Sequence, residues 1–164
     1  MLLPLAAGLA LLVGVPSGSG GTGATQTLHV AVEGSAAAPC TRARPCTWKG
    51  AFRRARPGAL VLVQPGSYPA DDASRDSITL FRGRPRSTRP ITFACAEPRS
   101  TVTHSSGWFT IKAFHVRIVG GCFRFHALRF GEPGESGVTT SDILVQGAHM
   151  DGFEIVGADR VTLR

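Results

Sequence analysis

The sequence lacks the short motifs that identify several common classes of enzyme. It contains no GxSxG turn, no phosphate-binding P-loop, no HExxH pair and no EF-hand loop, each of which depends on fixed residue spacing. No two cysteines have the CxxC spacing of a zinc site, and no basic run alternates with aromatic residues. The sequence therefore gives no motif support for a GxSxG hydrolase, a kinase or a metalloprotease. We expect no metal site, no evident cofactor and no nucleic-acid partner.

Lysine is also scarce, since Lys49 and Lys112 are the only two among 18 basic residues. The others are arginines, and with 11 acidic residues they give a formal net charge of +7. A basic exported protein is attracted to acidic polysaccharide or to an anionic cell wall. The alternative is that the arginines are scattered over a solvated surface.

The one long apolar run, from Met1 to Val15, is shorter than the roughly 20 residues that span a bilayer. A segment rich in Gly, Ser and Thr follows, from Pro16 to Thr25. This order predicts a secretory signal cleaved after Ala24, and hence a secreted or extracellular protein with no stable membrane span. No Lys or Arg precedes the run, so the alternatives are a start further upstream or an uncleaved anchor.

The four cysteines form an even set that allows three disulfide pairings: Cys40, Cys46, Cys95 and Cys122. We predict that neighbours pair, Cys40 with Cys46 around a tight loop and Cys95 with Cys122, in an oxidising compartment. The alternative is a set of buried free thiols.

One short helix and many short strands are predicted after the cysteine loop. Thr47 can cap the helix through its hydroxyl, and apolar residues follow it at helical spacing, namely Trp48, Ala51, Phe52 and Ala55. Elsewhere, short apolar segments separated by Gly, Pro, Asp and Ser predict strands at residues 28–32, 59–63, 78–81, 91–94, 109–111, 116–119, 143–145, 153–156 and 161–163.

An internal repeat favours a β-solenoid among the all-β architectures. Val116, Ile143 and Val161 occupy equivalent places in similar segments, at intervals of 27 and 18 residues. Irregular coils of this size bury their inward side chains on the neighbouring coils. Cys95 and Cys122 lie about one such interval apart, which is compatible with a disulfide between stacked coils.

Residues 40–68 resemble the entry module of the pectate-lyase-like right-handed parallel β-helix proteins. The resemblance rests on the cysteine loop, the helix, and the segments Arg56-Pro57-Gly58, Val61-Leu62-Val63 and Pro65-Gly66-Ser67-Tyr68. Ala59 stands where an acidic residue is common. The resemblance implies an all-β, right-handed parallel β-helix (β-solenoid) with a short N-terminal capping strand and helix.

The expected organisation is a signal and linker at 1–24, the cap and first strand at 25–69, and coils at 70–164. Because the sequence stops within a strand-like pattern, we expect the architecture to be truncated. The resemblance implies a secreted, monomeric polysaccharide lyase or glycoside hydrolase that acts on an acidic polysaccharide, with calcium a candidate cofactor of the complete protein. The alternative is a non-catalytic extracellular protein that binds glycan or serves a structural role. We expect the 164-residue chain alone to show no turnover.

Acidic residues that could take part in chemistry occur in two places. The first group lies in a loop, where adjacent acids usually only solvate the chain: Asp71, Asp72 and Asp76. The second is the acid–base cluster near the middle coils and supplies the catalytic candidates: His149, Asp151 and Glu154. The alternative for this second group is a set of scattered turn residues.

Three arginines that alternate with apolar residues are the substrate-binding candidates: Arg117, Arg124 and Arg129. If neighbouring coils align them on one outer face, they form a basic strip for an acidic glycan. The alternative is three independent, solvated arginines. Trp108 lies beside Phe109 and Ile111 and is expected in the core or a lateral stack, with a sugar-stacking platform as the alternative.

Overall fold

The computed structural model describes residues 25–68, 88–131 and 140–164. These contain strands and one short helix, so the predicted all-β class is confirmed. The elements in chain order are β1 Thr27–Val30, α1 Trp48–Arg54, β2 Leu60–Val63, β3 Gly66–Tyr68, β4 Ile91–Cys95, β5 Val102–Ile111, β6 Phe114–Val119, β7 Phe123–Phe130, β8 Thr140–Gln146, β9 His149–Ile155 and β10 Ala158–Leu163.

Several predictions fall outside the described residues. They are the signal segment at 1–24, the strand at 78–81 and the loop acids Asp71, Asp72 and Asp76. The division of the chain at residues 24 and 69 stays a prediction.

The described strands form two sheets, and every pairing among them is parallel. One sheet has six strands in the order β1-β2-β4-β6-β8-β10, and the other has four in the order β3-β5-β7-β9. From β3 onward the described chain alternates between the sheets, so from β4 onward each strand lies beside the strand two strands earlier. Val116, Ile143 and Val161 are register partners in β6, β8 and β10, which confirms the equivalence predicted from the repeat.

The predicted helix is confirmed together with its cap. Thr47 is the N-cap, and its hydroxyl oxygen accepts a hydrogen bond from the Gly50 amide at 3.0 Å. That bond satisfies one of the amides left free in the first helical turn. The helix has seven residues, and within the described ranges no helix is long and apolar enough to cross a membrane.

The apolar face of α1 packs against both sheets through Trp48, which is 1 % exposed. Its ring stacks on Phe93 of β4 with centroids 5.0 Å apart, and it meets the edge of Phe109 of β5 at 5.0 Å. Tyr68 and Phe123 complete the aromatic cluster, with centroids 6.1 and 6.0 Å from the indole. Because a seven-residue helix is not stable alone, this burial is what holds α1 in place.

Both predicted disulfides are present, Cys40 with Cys46 and Cys95 with Cys122. Their Cα atoms are 4.7 and 6.3 Å apart, within the range that disulfides usually span. Cys95 ends β4 and Cys122 directly precedes β7, so the second bond joins segments of the two sheets. Disulfides are typical of an oxidising compartment.

A buried histidine interrupts a stack of apolar side chains in the four-stranded sheet. Tyr68, His104, Phe125 and Met150 are successive register partners in β3, β5, β7 and β9. The His104 side chain is 3 % exposed, and its Nδ1 atom has no hydrogen-bond partner among the described residues. Its ring lies against Phe109, with centroids 5.1 Å apart. Desolvation by this burial lowers the pKa of His104 to about 4.

Candidate functional site

The outer face of the four-stranded sheet carries a row of polar side chains because its strands alternate. In β7 Phe123 and Phe125 are buried, whereas the residue that follows each of them, Arg124 and His126, is exposed. This alternation directs successive side chains to opposite faces of the sheet. It is interrupted at Ala127 and Leu128, which are both buried.

The exposed side chains border a shallow groove of about 330 Å³ on that face. Five of the lining residues carry polar groups that are not part of the core stack, and together they define the outer groove: Thr103, Arg124, His126, His149 and Asp151. Thr103, Arg124 and His149 are register partners in β5, β7 and β9. Their side chains therefore leave the sheet side by side, about 4.8 Å apart from strand to strand.

One carboxylate in the outer groove lies between two imidazoles. Asp151 Oδ2 is 3.4 Å from His126 Nδ1, and Asp151 Oδ1 is 3.3 Å from His149 Nε2. The three side chains are 57 % (His126), 60 % (Asp151) and 61 % (His149) exposed, so solvent screens these contacts. Imidazoles and carboxylates are the side chains that most often transfer protons to or from a ligand.

Among the described residues that line the groove, Arg124 alone carries a permanent positive charge. Among residues 25–68, 88–131 and 140–164, no hydrogen bond or ion pair engages its guanidinium. A guanidinium presents several donors in a planar fork that matches a carboxylate or phosphate. Arg124 is therefore available to an anionic ligand.

A second group of side chains lies further along the same strands. Arg129 Nε donates a hydrogen bond to Glu154 Oε2 at 2.7 Å, and its guanidinium carbon lies 4.6 Å from the centre of the Trp108 ring. Trp108 is 42 % exposed, so of the two expected positions, core or lateral stack, the core position is wrong. A register shift between His104 and Trp108 leaves Phe109 as the inward residue and Trp108 outside.

The structure brings together only some of the residues singled out from the sequence. His149 and Asp151 share the outer groove, whereas Glu154 pairs with Arg129. Arg124 and Arg129 lie on one strand, but Arg117 lies on β6 of the other sheet, between Thr92 and Leu144. The three arginines therefore do not form one strip. Sequence reasoning missed His126, although the alternation from Phe123 to His126 was the signal that could have found it.

A separate polar cluster crosses the six-stranded sheet at equivalent positions of β6, β8 and β10. His115, Asp142 and Arg160 all have positive φ, at 54°, 59° and 51°. Asp142 lies 3.2 Å from His115 Nδ1 and accepts hydrogen bonds from Arg160. The hydrogen bond from Arg160 holds the pKa of Asp142 below its usual range. Because these charges neutralise one another, the cluster serves the strand-to-strand contact rather than an anionic ligand.

No group of three or more His, Cys, Asp or Glu side chains in the described parts of the chain is arranged to hold a metal ion. In comparison with known proteins, no family model, no curated protein and no solved structure matches the chain. The geometry of the two sheets and the outer groove is thus the basis for the functional proposal.

Proposed function

We propose that the chain belongs to an exported right-handed parallel β-helix protein of the pectate-lyase-like kind. The alternation of the chain between two parallel sheets supports this, since a pair of strands, one from each sheet, then corresponds to one coil. The in-register Val116, Ile143 and Val161 and the disulfide between Cys95 and Cys122 fit stacked coils. The two disulfides also favour an extracellular location.

The function proposed for this chain is binding of an acidic polysaccharide along the outer face of the four-stranded sheet. The observation that carries it is the guanidinium of Arg124, which no described residue engages, on the same face as an exposed indole, Trp108. The guanidinium suits a uronate carboxylate. The flat, amphipathic indole suits the apolar face of a sugar ring. Arg129 stacks on the indole and is itself bonded to Glu154.

The spacing of these groups favours a polymer over a small ligand. Trp108 is the register partner of Ala127, three residues beyond Arg124 on β7, which at about 3.3 Å per residue is roughly 10 Å along the strand. A ligand that reaches both Arg124 and the Trp108 platform must therefore be longer than a single sugar ring.

The exposure of the acid–base group favours binding over catalysis. Each of His126, His149 and Asp151 is more than half exposed, and electrostatic contacts in such a position are weak compared with those in a water-excluded site. The non-catalytic alternative is therefore the better supported one for the chain at hand. Appearance of unsaturated uronate products on incubation with polygalacturonate would establish a lyase instead.

We expect the chain to bind polygalacturonate at low salt, and Arg124→Ala and Trp108→Ala each to weaken binding about fivefold to tenfold. The loss follows from removal of one charged hydrogen bond or one stacking surface, each worth about 1 kcal/mol. Isothermal titration calorimetry measures the dissociation constants, and affinity should fall as salt is added.

Arg117→Ala is the matched control, because it removes an exposed arginine from the other sheet and leaves the net charge equal to that of Arg124→Ala. Its affinity should equal that of the unmodified chain. Equal losses in the two arginine variants would mean that net charge, and not this face, attracts the ligand. Failure to bind any acidic polysaccharide would contradict the proposed function.

A further inference from the structure

The charges in the outer groove cancel when its histidines are neutral. Arg124 of β7 is positive and Asp151 of β9 is negative, while β5 contributes the uncharged Thr103. The other charged pair on this face, Arg129 with Glu154, is already neutralised by its own contact. At neutral pH an anionic ligand therefore meets one favourable charge and one unfavourable charge.

Protonation of the two imidazoles changes this balance from zero to two positive charges. Both rings contact the same carboxylate, His126 through Nδ1 and His149 through Nε2. When both are protonated, Asp151 is flanked by two cations and no longer repels an anion effectively. Histidine is the side chain that changes charge between about pH 5 and 8.

The register places one of these imidazoles directly beside the proposed ligand-binding guanidinium. Arg124 and His149 are partners on neighbouring strands, with side chains about 4.8 Å apart where they leave the sheet. A carboxylate held by Arg124 therefore lies within ion-pair reach of a protonated His149. His126, on the same strand as Arg124 and two residues further, closes the groove on the other side of Asp151.

We propose that the outer groove is a pH-controlled anion site, in which His126 and His149 switch capture on in mild acid and Asp151 weakens capture at neutral pH. This inference rests on the proposed function of the groove and adds its regulation. The chemical class of ligand is a polyanionic glycan with carboxylate or sulfate groups. Of the remaining histidines in the described residues, His104 lies at the floor of the groove with its ring buried in the core, His29 lies on β1, and His115 pairs with Asp142.

The test compares dissociation constants at about pH 5.5 and 7.5 in low salt, for polygalacturonate and for dextran sulfate. The sulfate charge does not titrate in this range, so a change seen with both ligands belongs to the protein. For the unmodified chain we expect about tenfold tighter binding at the lower pH, from two screened ion pairs. The double variant His126→Gln with His149→Gln should reduce this ratio to less than about twofold. Asp151→Asn should tighten binding at pH 7.5.

His29→Gln is the matched control, and it should keep the full ratio because β1 lies in the other sheet. Circular dichroism at both pH values checks that each variant is folded, and if the double variant is not, the single variants should each show about a threefold ratio. Binding that is equal at the two pH values overturns this inference and leaves the proposed function standing. A tenfold ratio of the two dissociation constants that persists in the double variant His126→Gln with His149→Gln has the same meaning. If the chain binds neither ligand at pH 5.5 nor at pH 7.5, the proposed function itself is overturned.

Discussion

Replacement of Cys95 and Cys122 by alanine is expected to lower the free energy of unfolding by about 3–4 kcal/mol, whereas loss of the Cys40–Cys46 bond should cost about 2 kcal/mol. The first bond joins cysteines 27 residues apart and the second joins cysteines 6 residues apart. A longer closed loop removes more conformational freedom from the unfolded chain, so its release is more destabilising. Urea denaturation of the two double variants, followed by circular dichroism, measures the difference.

The unmodified chain in a thiol reductant is the control for this comparison, because it should lose at least as much stability as the Cys95/Cys122 variant. A larger loss from the short loop than from the long one would contradict the picture of a bond that ties the two sheets together. Under reducing conditions β4 and β7 must also meet during refolding without a covalent link.

Acidification from about pH 7.5 to 4.5 is expected to remove roughly 2–3 kcal/mol of stability through His104 alone. Burial lowers the pKa of His104 from 6.5 to about 4, so the unfolded chain takes up the proton at a higher pH than the folded chain does. The stability that the neutral ring contributes is fully present above about pH 6.5 and is lost progressively as the pH falls toward 4. His104→Phe, which keeps an aromatic ring between Tyr68 and Phe125, should abolish this loss in urea denaturation at the two pH values.

His29→Gln serves as the control, because His29 is a partly buried residue of β1 outside the aromatic stack. It should lose the same stability on acidification as the unmodified chain. If His104→Phe also loses the full amount, His104 is not the group that senses acid. The carboxylates make the same contribution to the stability lost on acidification in all three proteins, so that contribution cancels when the proteins are compared.

The features that the sequence predicted correctly are those set by local chemistry. The hydroxyl of Thr47 and the spacing of Trp48, Ala51 and Phe52 were enough to place α1 within one residue of its bounds. The short cysteine loop favours pairing of Cys40 with Cys46, which leaves Cys95 for Cys122. The predicted strands at 91–94, 116–119 and 143–145 lie within β4, β6 and β8, because apolar alternation records the face of the sheet that each side chain occupies. β3 and β7 were not predicted as strands.

The composition of the outer groove depended on information that a single sequence does not contain. Alternation shows that Arg117 and Arg124 point outward, but it does not show which of two sheets each strand joins. The exposure of Trp108 results from a register shift between β5 and β7, a property of the pairing and not of either strand alone. The contacts of Asp151 with His126 and of Glu154 with Arg129 likewise depend on the register of β9 against β7.

The most direct test of the central claim, that the outer face of β5, β7 and β9 is the ligand-binding face, is side-chain NMR of the labelled chain during titration with a galacturonate oligomer. The predicted result is a shift of the Arg124, His126, His149 and Trp108 side-chain signals with one common dissociation constant. The signals of Arg117, His29 and His115, which lie on the six-stranded sheet, should stay in place. Shifts of Arg117 and His115 with no change at Arg124 and Trp108 would contradict the claim.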